Sequence, residues 1–187
     1  MGTDFTAVVN HNLNAREIHT LPDLLNSTWV TDEHLSPIIE GYPVPGSTPE
    51  KWQWREGEYG FSLERLHNHE TIMVEGHEFH GMVSERMFRL CHGVRWGSFL
   101  TEQMVRDKLR RVCRHIASAL GSNQIIYLPD GFLRPEGAIG LMYEGKAVEE
   151  MIDWLLENCG PPVQNIESIY RGELESWNSD GYYIERV

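Results

Sequence analysis

The segment TEQMVRDKLRRVCRHIASALGSNQIIYLPD, residues 101–130, carries the clearest fold signal in the chain. Apolar side chains recur every three or four residues between Val105 and Leu120, a spacing that predicts an amphipathic helix over about residues 102–120. Thr101 is a suitable N-cap for this helix, and Gly121 is a common residue just after a helix end. The segment therefore predicts a helix that buries one face.

A buried strand is predicted directly after this helix, at Gln124 to Leu128, where the turn sequence Pro129-Asp130-Gly131 ends it. A second amphipathic helix is predicted over about residues 146–159, because Gly160-Pro161-Pro162 cannot continue it. Shorter segments favour strands by alternation or by short apolar runs. These are Phe5–Val9, Trp52–Trp54, Tyr59–Leu63, Ile72–Val74, the start of Phe79–Leu90, Ile166–Tyr170 and Tyr182–Ile184.

This order of elements predicts an α+β fold, with a largely antiparallel sheet packed against the helices at 102–120 and 146–159. A helical pattern over Asn14 to Leu25 is interrupted by Pro22. At 187 residues the chain has the usual length of a single domain, so we expect one domain over residues 1–187. Four prolines and two glycines predict an irregular loop at about residues 36–50.

Charge is distributed unevenly along the chain, which has a net charge of −12. Residues 1–85 hold 4 basic and 14 acidic side chains, and residues 116–187 hold 4 basic and 12 acidic ones. Residues 86–115 instead hold 8 basic and 2 acidic side chains. Such a field repels nucleic acid and suits a cationic protein partner, although it is equally typical of a protein that is simply very soluble.

The sequence has no apolar run that is long enough for a membrane helix and no N-terminal segment of the secretory type. Its three cysteines, Cys91, Cys113 and Cys159, are scattered and form no C-x-x-C motif. Scattered free thiols fit a reducing compartment, so we expect a cytoplasmic location without a membrane partner.

The densest group of candidate metal ligands lies between His67 and His80. An H-x-H pair on a strand would place both imidazoles on one face, and neighbouring carboxylates would complete a coordination sphere. The candidates are His67, His69, Glu70, His77 and His80, and they would support a metal-dependent hydrolase. The region lacks H-E-x-x-H, however, and solvated histidines explain the pattern more simply. We therefore expect that the protein requires no cofactor and no metal.

Other catalytic patterns are weaker. The sequence contains no G-x-S-x-G, no phosphate-binding glycine loop and no recognisable cysteine nucleophile motif. Cys91 and His92 are neighbours in sequence, but on a strand their side chains would point to opposite faces. Asp130 could serve as an acid or a ligand, although a turn explains it equally well.

The string Gly93-Val94-Arg95-Trp96-Gly97 precedes the basic helix. It suggests an anion site at Arg95 near the free N–H groups of the helix, or a structural role in which Trp96 anchors the core. Further along the helix, Arg106, Arg110 and Arg114 are spaced to form a row opposite the apolar face. These four arginines are the candidates for an anion-binding or nucleic-acid-contacting function.

Three functions therefore remain open. The favoured one is a non-catalytic protein-binding domain, resembling in its role an immunity protein or antitoxin that neutralises a basic partner. The alternatives are the metal-dependent enzyme at residues 67–80 and the anion-binding accessory protein at residues 102–120. The partner's identity and the oligomeric state do not follow from the sequence.

Overall fold

The computed structural model describes residues 4–29, 49–130, 134–166 and 181–187. These residues form an α+β fold whose seven strands make one sheet in the order β2-β3-β4-β5-β1-β6-β7, with every neighbouring pair antiparallel. The strands are β1 (Asp4–Asn10), β2 (Gln53–Trp54), β3 (Ile72–Gly76), β4 (Phe79–Val83), β5 (Met87–Arg95), β6 (Gln124–Asp130) and β7 (Tyr183–Arg186). The helices are α1 (Ala15–His19), α2 (Leu21–Thr28), α3 (Leu63–His67), α4 (Trp96–Thr101), α5 (Gln103–Ala119), α6 (Glu136–Tyr143) and α7 (Val148–Cys159), with a 3₁₀ turn at Gly57–Tyr59.

The helices cover both faces of the sheet. On the first face, α2, α4 and α5 enclose the larger hydrophobic cluster, which includes Phe5, Phe99 and Leu109. On the second face, α6 and α7 enclose a smaller cluster that includes Ile126 and Leu155. The two amphipathic helices expected from the sequence therefore pack on opposite faces, and the described part of the molecule has three layers.

The strands differ in how completely they are covered. In β1, residues 5–9 are all buried, and in β6 residues 124–129 are all buried. In β3 and β4, buried side chains alternate with half-buried ones. A strand buried on both faces reads as a continuous apolar run, whereas one covered on a single face shows alternation. Among the described residues, the second face of the sheet is therefore less covered over β3 and β4 than over β1 and β6.

Most of the predicted elements are present. The helix predicted at 102–120 is α5 at Gln103–Ala119, and the helix predicted at 146–159 is α7 at Val148–Cys159. Pro22 does not end the first helical segment but lies in the first turn of α2, where its missing N–H costs no hydrogen bond. The ambiguous segment 79–90 forms β4 and the start of β5.

Three local predictions were wrong. The alternation at Tyr59–Leu63 does not form a strand, because Ser62 accepts a hydrogen bond from the Arg65 N–H and caps α3. Thr101 does not cap α5, since it is the last residue of α4 and its hydroxyl donates to the Gly97 carbonyl. Pro129 and Asp130 do not form a turn, because β6 continues through Asp130.

Helix α6 was missed by the sequence analysis. The loop predicted at 36–50 and the strand predicted at Ile166–Tyr170 lie largely outside the described residues. Within the described ranges, no helix is both long and apolar enough to cross a membrane.

Candidate functional site

Two arginines of α5 form hydrogen bonds with a carboxylate of the same protein. Glu185 on β7 accepts hydrogen bonds from Arg110 Nε at 3.0 Å and from Arg114 Nε at 2.5 Å. The Tyr127 hydroxyl donates to the same carboxylate over 2.9 Å. The Glu185 side chain is 6% exposed, so this carboxylate holds two cations and a phenol at the boundary of the core. The cluster therefore links β7 to α5 through hydrogen-bonded ion pairs.

The electrostatics of this cluster follow from its geometry. Burial raises the pKa of Glu185, but the hydrogen bonds from Arg110, Arg114 and Tyr127 outweigh it and hold the pKa below its ordinary value. Burial is also the main reason why the pKa values of Tyr127 and of the nearby Cys113 thiol are raised. Glu185 is therefore ionised at neutral pH, while the phenol and the thiol stay protonated.

Arg106 does not belong to an exposed row. It is 7% exposed, and its Nη1 donates to the Leu100 carbonyl over 2.6 Å. Leu100 lies in the last turn of α4, where carbonyl groups have no partner within the helix, so Arg106 serves as a cap for that end. The prediction of a solvent-facing row of Arg106, Arg110 and Arg114 is therefore wrong for its first member.

Arg95 and Trp96 lie where β5 passes into α4. Arg95 is the last residue of the strand, and its Nη1 lies 2.7 Å from Asp4 Oδ1 on β1. Trp96 is the first residue of α4, is 1% exposed and packs on Phe99 with ring centroids 5.3 Å apart. Arg95 therefore has a carboxylate partner within the protein, and the neighbouring indole of Trp96 belongs to the core.

The histidines of the predicted metal cluster are spread over different elements. His67 ends α3 and is exposed, and His69 lies beside Glu85 with Nδ1 and Oε2 separated by 3.3 Å. His77, in the turn between β3 and β4, stacks on Trp29 with centroids 4.6 Å apart. His80 lies on β4, where it faces Glu75. His67 and His69 do not share a strand face, because the helix cap at Ser62 places His67 in a helix.

Glu70, the carboxylate of that set, pairs with Arg65 at 2.9 Å. No group of three histidine, cysteine, aspartate or glutamate side chains within the described ranges is arranged to hold a metal ion. We expect protein purified without a histidine tag to contain no stoichiometric zinc or iron, which elemental analysis can check. Stoichiometric metal that disappears on replacing His67 and His69 would contradict this expectation.

The outer face of α7 is acidic. Glu149, Asp153 and Glu157 are exposed and follow one another at intervals of four residues, so they lie along one side of the helix about 6 Å apart. Leu156, on the same side, is 45% exposed. We call these four residues the acidic stripe. Glu150 is not part of the stripe, because its carboxylate accepts a hydrogen bond from the Ala147 N–H at the start of the helix.

A polar cleft of about 540 Å³ separates the second face of the sheet from α6. Its floor is Arg89, whose side chain is 7% exposed and whose Nη2 lies 2.6 Å from Asp130 Oδ2. Arg89 also donates to the Tyr143 hydroxyl at 3.2 Å and to Thr6 Oγ1 at 3.3 Å. Asp130 is therefore the partner of a buried cation. Arg89 could not be recognised from the sequence, because a lone arginine in a strand belongs to no motif.

No protein-family model, curated protein or solved structure matches this chain. Its fold and its sites thus define an α+β protein of three layers, with an acidic stripe on one outer helix and internally paired arginines on the other.

Proposed function

We propose that the main activity of this protein is to bind a cationic partner protein through the acidic stripe on α7. The role would be that of an immunity protein or antitoxin, which neutralises a basic protein by covering it. The observation that carries this proposal is the row of exposed carboxylates Glu149, Asp153 and Glu157 beside the exposed Leu156. An exposed apolar side chain next to a row of like charges has the composition of the edge of a protein interface, where apolar contacts meet a polar rim.

The distribution of the remaining charge supports the same reading. The strongest basic element of the sequence is α5, but Glu185 binds Arg110 and Arg114, and Arg106 is buried. These cations contribute less positive potential to the surface than their number suggests. With a net charge of −12, the protein attracts cationic proteins and repels the phosphate backbone of nucleic acids.

The kinetics of such an interface have a recognisable form. Complementary charges increase the association rate more than they increase the lifetime of the complex. The Debye screening length falls to about 8 Å at physiological ionic strength, so added salt weakens this effect. The association rate constant should therefore fall steeply between low and high salt, whereas the dissociation rate constant should change little. Stopped-flow or surface-based kinetics with the purified partner separate the two constants.

The structure allows a matched pair of variants for finding the partner. The triple variant Glu149→Gln, Asp153→Asn, Glu157→Gln removes the charge of the stripe and leaves the cap residue Glu150 in place. The control Glu56→Gln, Glu58→Gln, Glu64→Gln removes the same charge from exposed positions elsewhere. Each immobilised protein is incubated with extract of the source cells at low salt, and the retained proteins are identified by mass spectrometry.

The proposal requires a basic protein that the wild type and the control retain and the stripe variant loses. The same protein must then show the salt-dependent association rate. Equal retention by all three forms would refute the stripe as the binding surface. An acidic partner that is released on replacing Arg95 or Arg114 would instead favour the anion-binding function.

A further inference from the structure

Four neighbouring strands line up four reactive side chains on the second face of the sheet. Glu75 on β3 lies opposite His80 on β4, His80 lies opposite Cys91 on β5, and Cys91 lies opposite Thr6 on β1. Directly opposite residues of an antiparallel pair share a face and have Cβ atoms about 4.5–5.5 Å apart. A carboxylate, an imidazole, a thiol and a hydroxyl therefore follow one another from the partly covered strands β3 and β4 to β1, where Thr6 is buried.

The carboxylate lies near the imidazole, beyond hydrogen-bond distance, and acts on it through its charge. Glu75 Oε2 lies 3.8 Å from His80 Nδ1, and the two side chains are 21% and 29% exposed, respectively. A carboxylate on this side favours a proton on Nδ1, which leaves the lone pair of Nε2 free to accept a proton. Burial lowers the pKa of His80, and the Arg55 guanidinium adds to this, while Glu75 opposes both. The imidazole is therefore neutral at pH 7, the form that a general base requires.

The thiol has polar neighbours of its own. Cys91 is half-buried, and its Sγ lies 3.5 Å from Thr6 Oγ1, which also accepts the hydrogen bond from Arg89 Nε. Burial raises the pKa of the Cys91 thiol, the Asp130 and Asp4 carboxylates add to this, and Arg89 and Thr6 partly offset it. A thiol in this setting is protonated at neutral pH, so it becomes a nucleophile only if a base removes its proton.

We propose that Cys91 is a nucleophilic thiol, with His80 as its general base and Glu75 as the carboxylate that acts on His80 through its charge. The substrates would be activated acyl compounds, that is, esters or thioesters. Cys91 Sγ attacks the carbonyl carbon while its proton passes to His80 Nε2. The bond to the leaving oxygen or sulfur then breaks, and the leaving group takes the proton from His80. Water then attacks the thioester carbonyl with His80 as base, the C–S bond breaks, the acyl group leaves as the carboxylic acid, and Cys91 Sγ regains its proton. This activity goes beyond partner binding and does not depend on it.

The test uses the full-length protein and p-nitrophenyl acetate as the probe. We expect a burst of nitrophenolate and one acetyl group on the peptide that contains Cys91. Cys91→Ser should abolish the burst, and His80→Gln should slow acetylation by about 10²-fold or more, the usual contribution of a general base. The controls His67→Gln, an exposed imidazole, and Cys159→Ser should react like the wild type.

The pH profile distinguishes a base from a merely structural histidine. Acetylation of the wild type should follow the ionisation of a group with a pKa below 6.5, the ordinary value for histidine. In Glu75→Gln the rise of the acetylation rate with pH should occur at a lower pH, because the Glu75 carboxylate raises the pKa of His80 in the wild type. Acetylation of another residue, or an unchanged rate in a folded His80→Gln, would overturn the proposal. If His80→Gln does not fold, the wild-type pH profile decides. An acetylation rate that rises only above neutral pH, with the ionisation of the thiol, would also overturn the proposal.

Discussion

The two helical layers that enclose the sheet use charge in opposite ways. In the layer of α4 and α5, three arginines are bound within the protein: Leu100 accepts from Arg106, and Glu185 accepts from Arg110 and Arg114. Many aromatic side chains fill the core of this layer. In the layer of α6 and α7, the core is smaller and mostly aliphatic, and the carboxylates of the acidic stripe stay at the surface. Charges that are satisfied internally hold a fold together, whereas charges left in water remain available to a partner.

The largest effect on stability is expected at Trp96, in the core of the first layer. Trp96→Ala removes a fully buried ring, so we expect unfolding to become easier by about 3–5 kcal/mol. Thermal and urea denaturation measure the change. Leu63→Ala, at a side chain that is 48% exposed, is the control and should stay within about 0.5 kcal/mol of the wild type. Equal effects of the two substitutions would show that Trp96 does not anchor this layer.

A smaller loss is expected at Glu185, which holds the paired charges. Glu185→Gln leaves Arg110 and Arg114 without a carboxylate, and we expect a loss of about 2–3 kcal/mol at neutral pH. The pKa of Glu185 is lower in the folded protein than the ordinary value of 4.5. Its contribution is therefore complete above pH 4.5 and disappears as the pH falls through the folded-state pKa.

Urea denaturation at several pH values checks this dependence. The difference in stability between the wild type and Glu185→Gln should shrink as the pH drops below 4.5. The exposed Glu64→Gln serves as the control. A difference that is the same at neutral and acidic pH would mean that packing, rather than charge, sets the role of Glu185.

The smallest effect on stability is expected in the second layer, at the acidic stripe. The triple variant Glu149→Gln, Asp153→Asn, Glu157→Gln should unfold within about 0.5 kcal/mol of the wild type, because exposed charges contribute little to stability. The same variant should nevertheless lose the partner. A stripe variant that is strongly destabilised would remove the contrast between the two layers.

The sequence predicted those parts of the fold that depend on local periodicity. The apolar spacing in α5 and α7 and the runs of β1 and β6 identified the long helices, the central strands and the α+β class. Periodicity failed at Tyr59–Leu63, where one capping serine was enough to form α3 instead of a strand. It also failed at Thr101, because a short helix ends where the long one was expected to be capped.

The candidate sites were harder to predict, since they join residues that are distant in the chain. The acidic and basic character of whole segments could be read from composition. The placement of Cys91 and His92 on opposite faces could be read from the alternation of side chains along a strand. The pairing of Glu185 with Arg110, over 75 residues, could not. Nor could the register that sets His80 opposite Cys91, or the Arg89–Asp130 pair on the floor of the cleft.

By itself, the amino-acid sequence determined the secondary structure of the long elements, the fold class and the excess of negative charge. Only the tertiary structure decided which charges are neutralised inside the protein and which remain at its surface. The physical reason is that periodicity and composition are properties of neighbouring residues, whereas a salt bridge or a cross-strand pair depends on strand order and register. In this protein those two features bring Glu185 to the arginines and His80 to Cys91, and they leave the carboxylates of α7 in water.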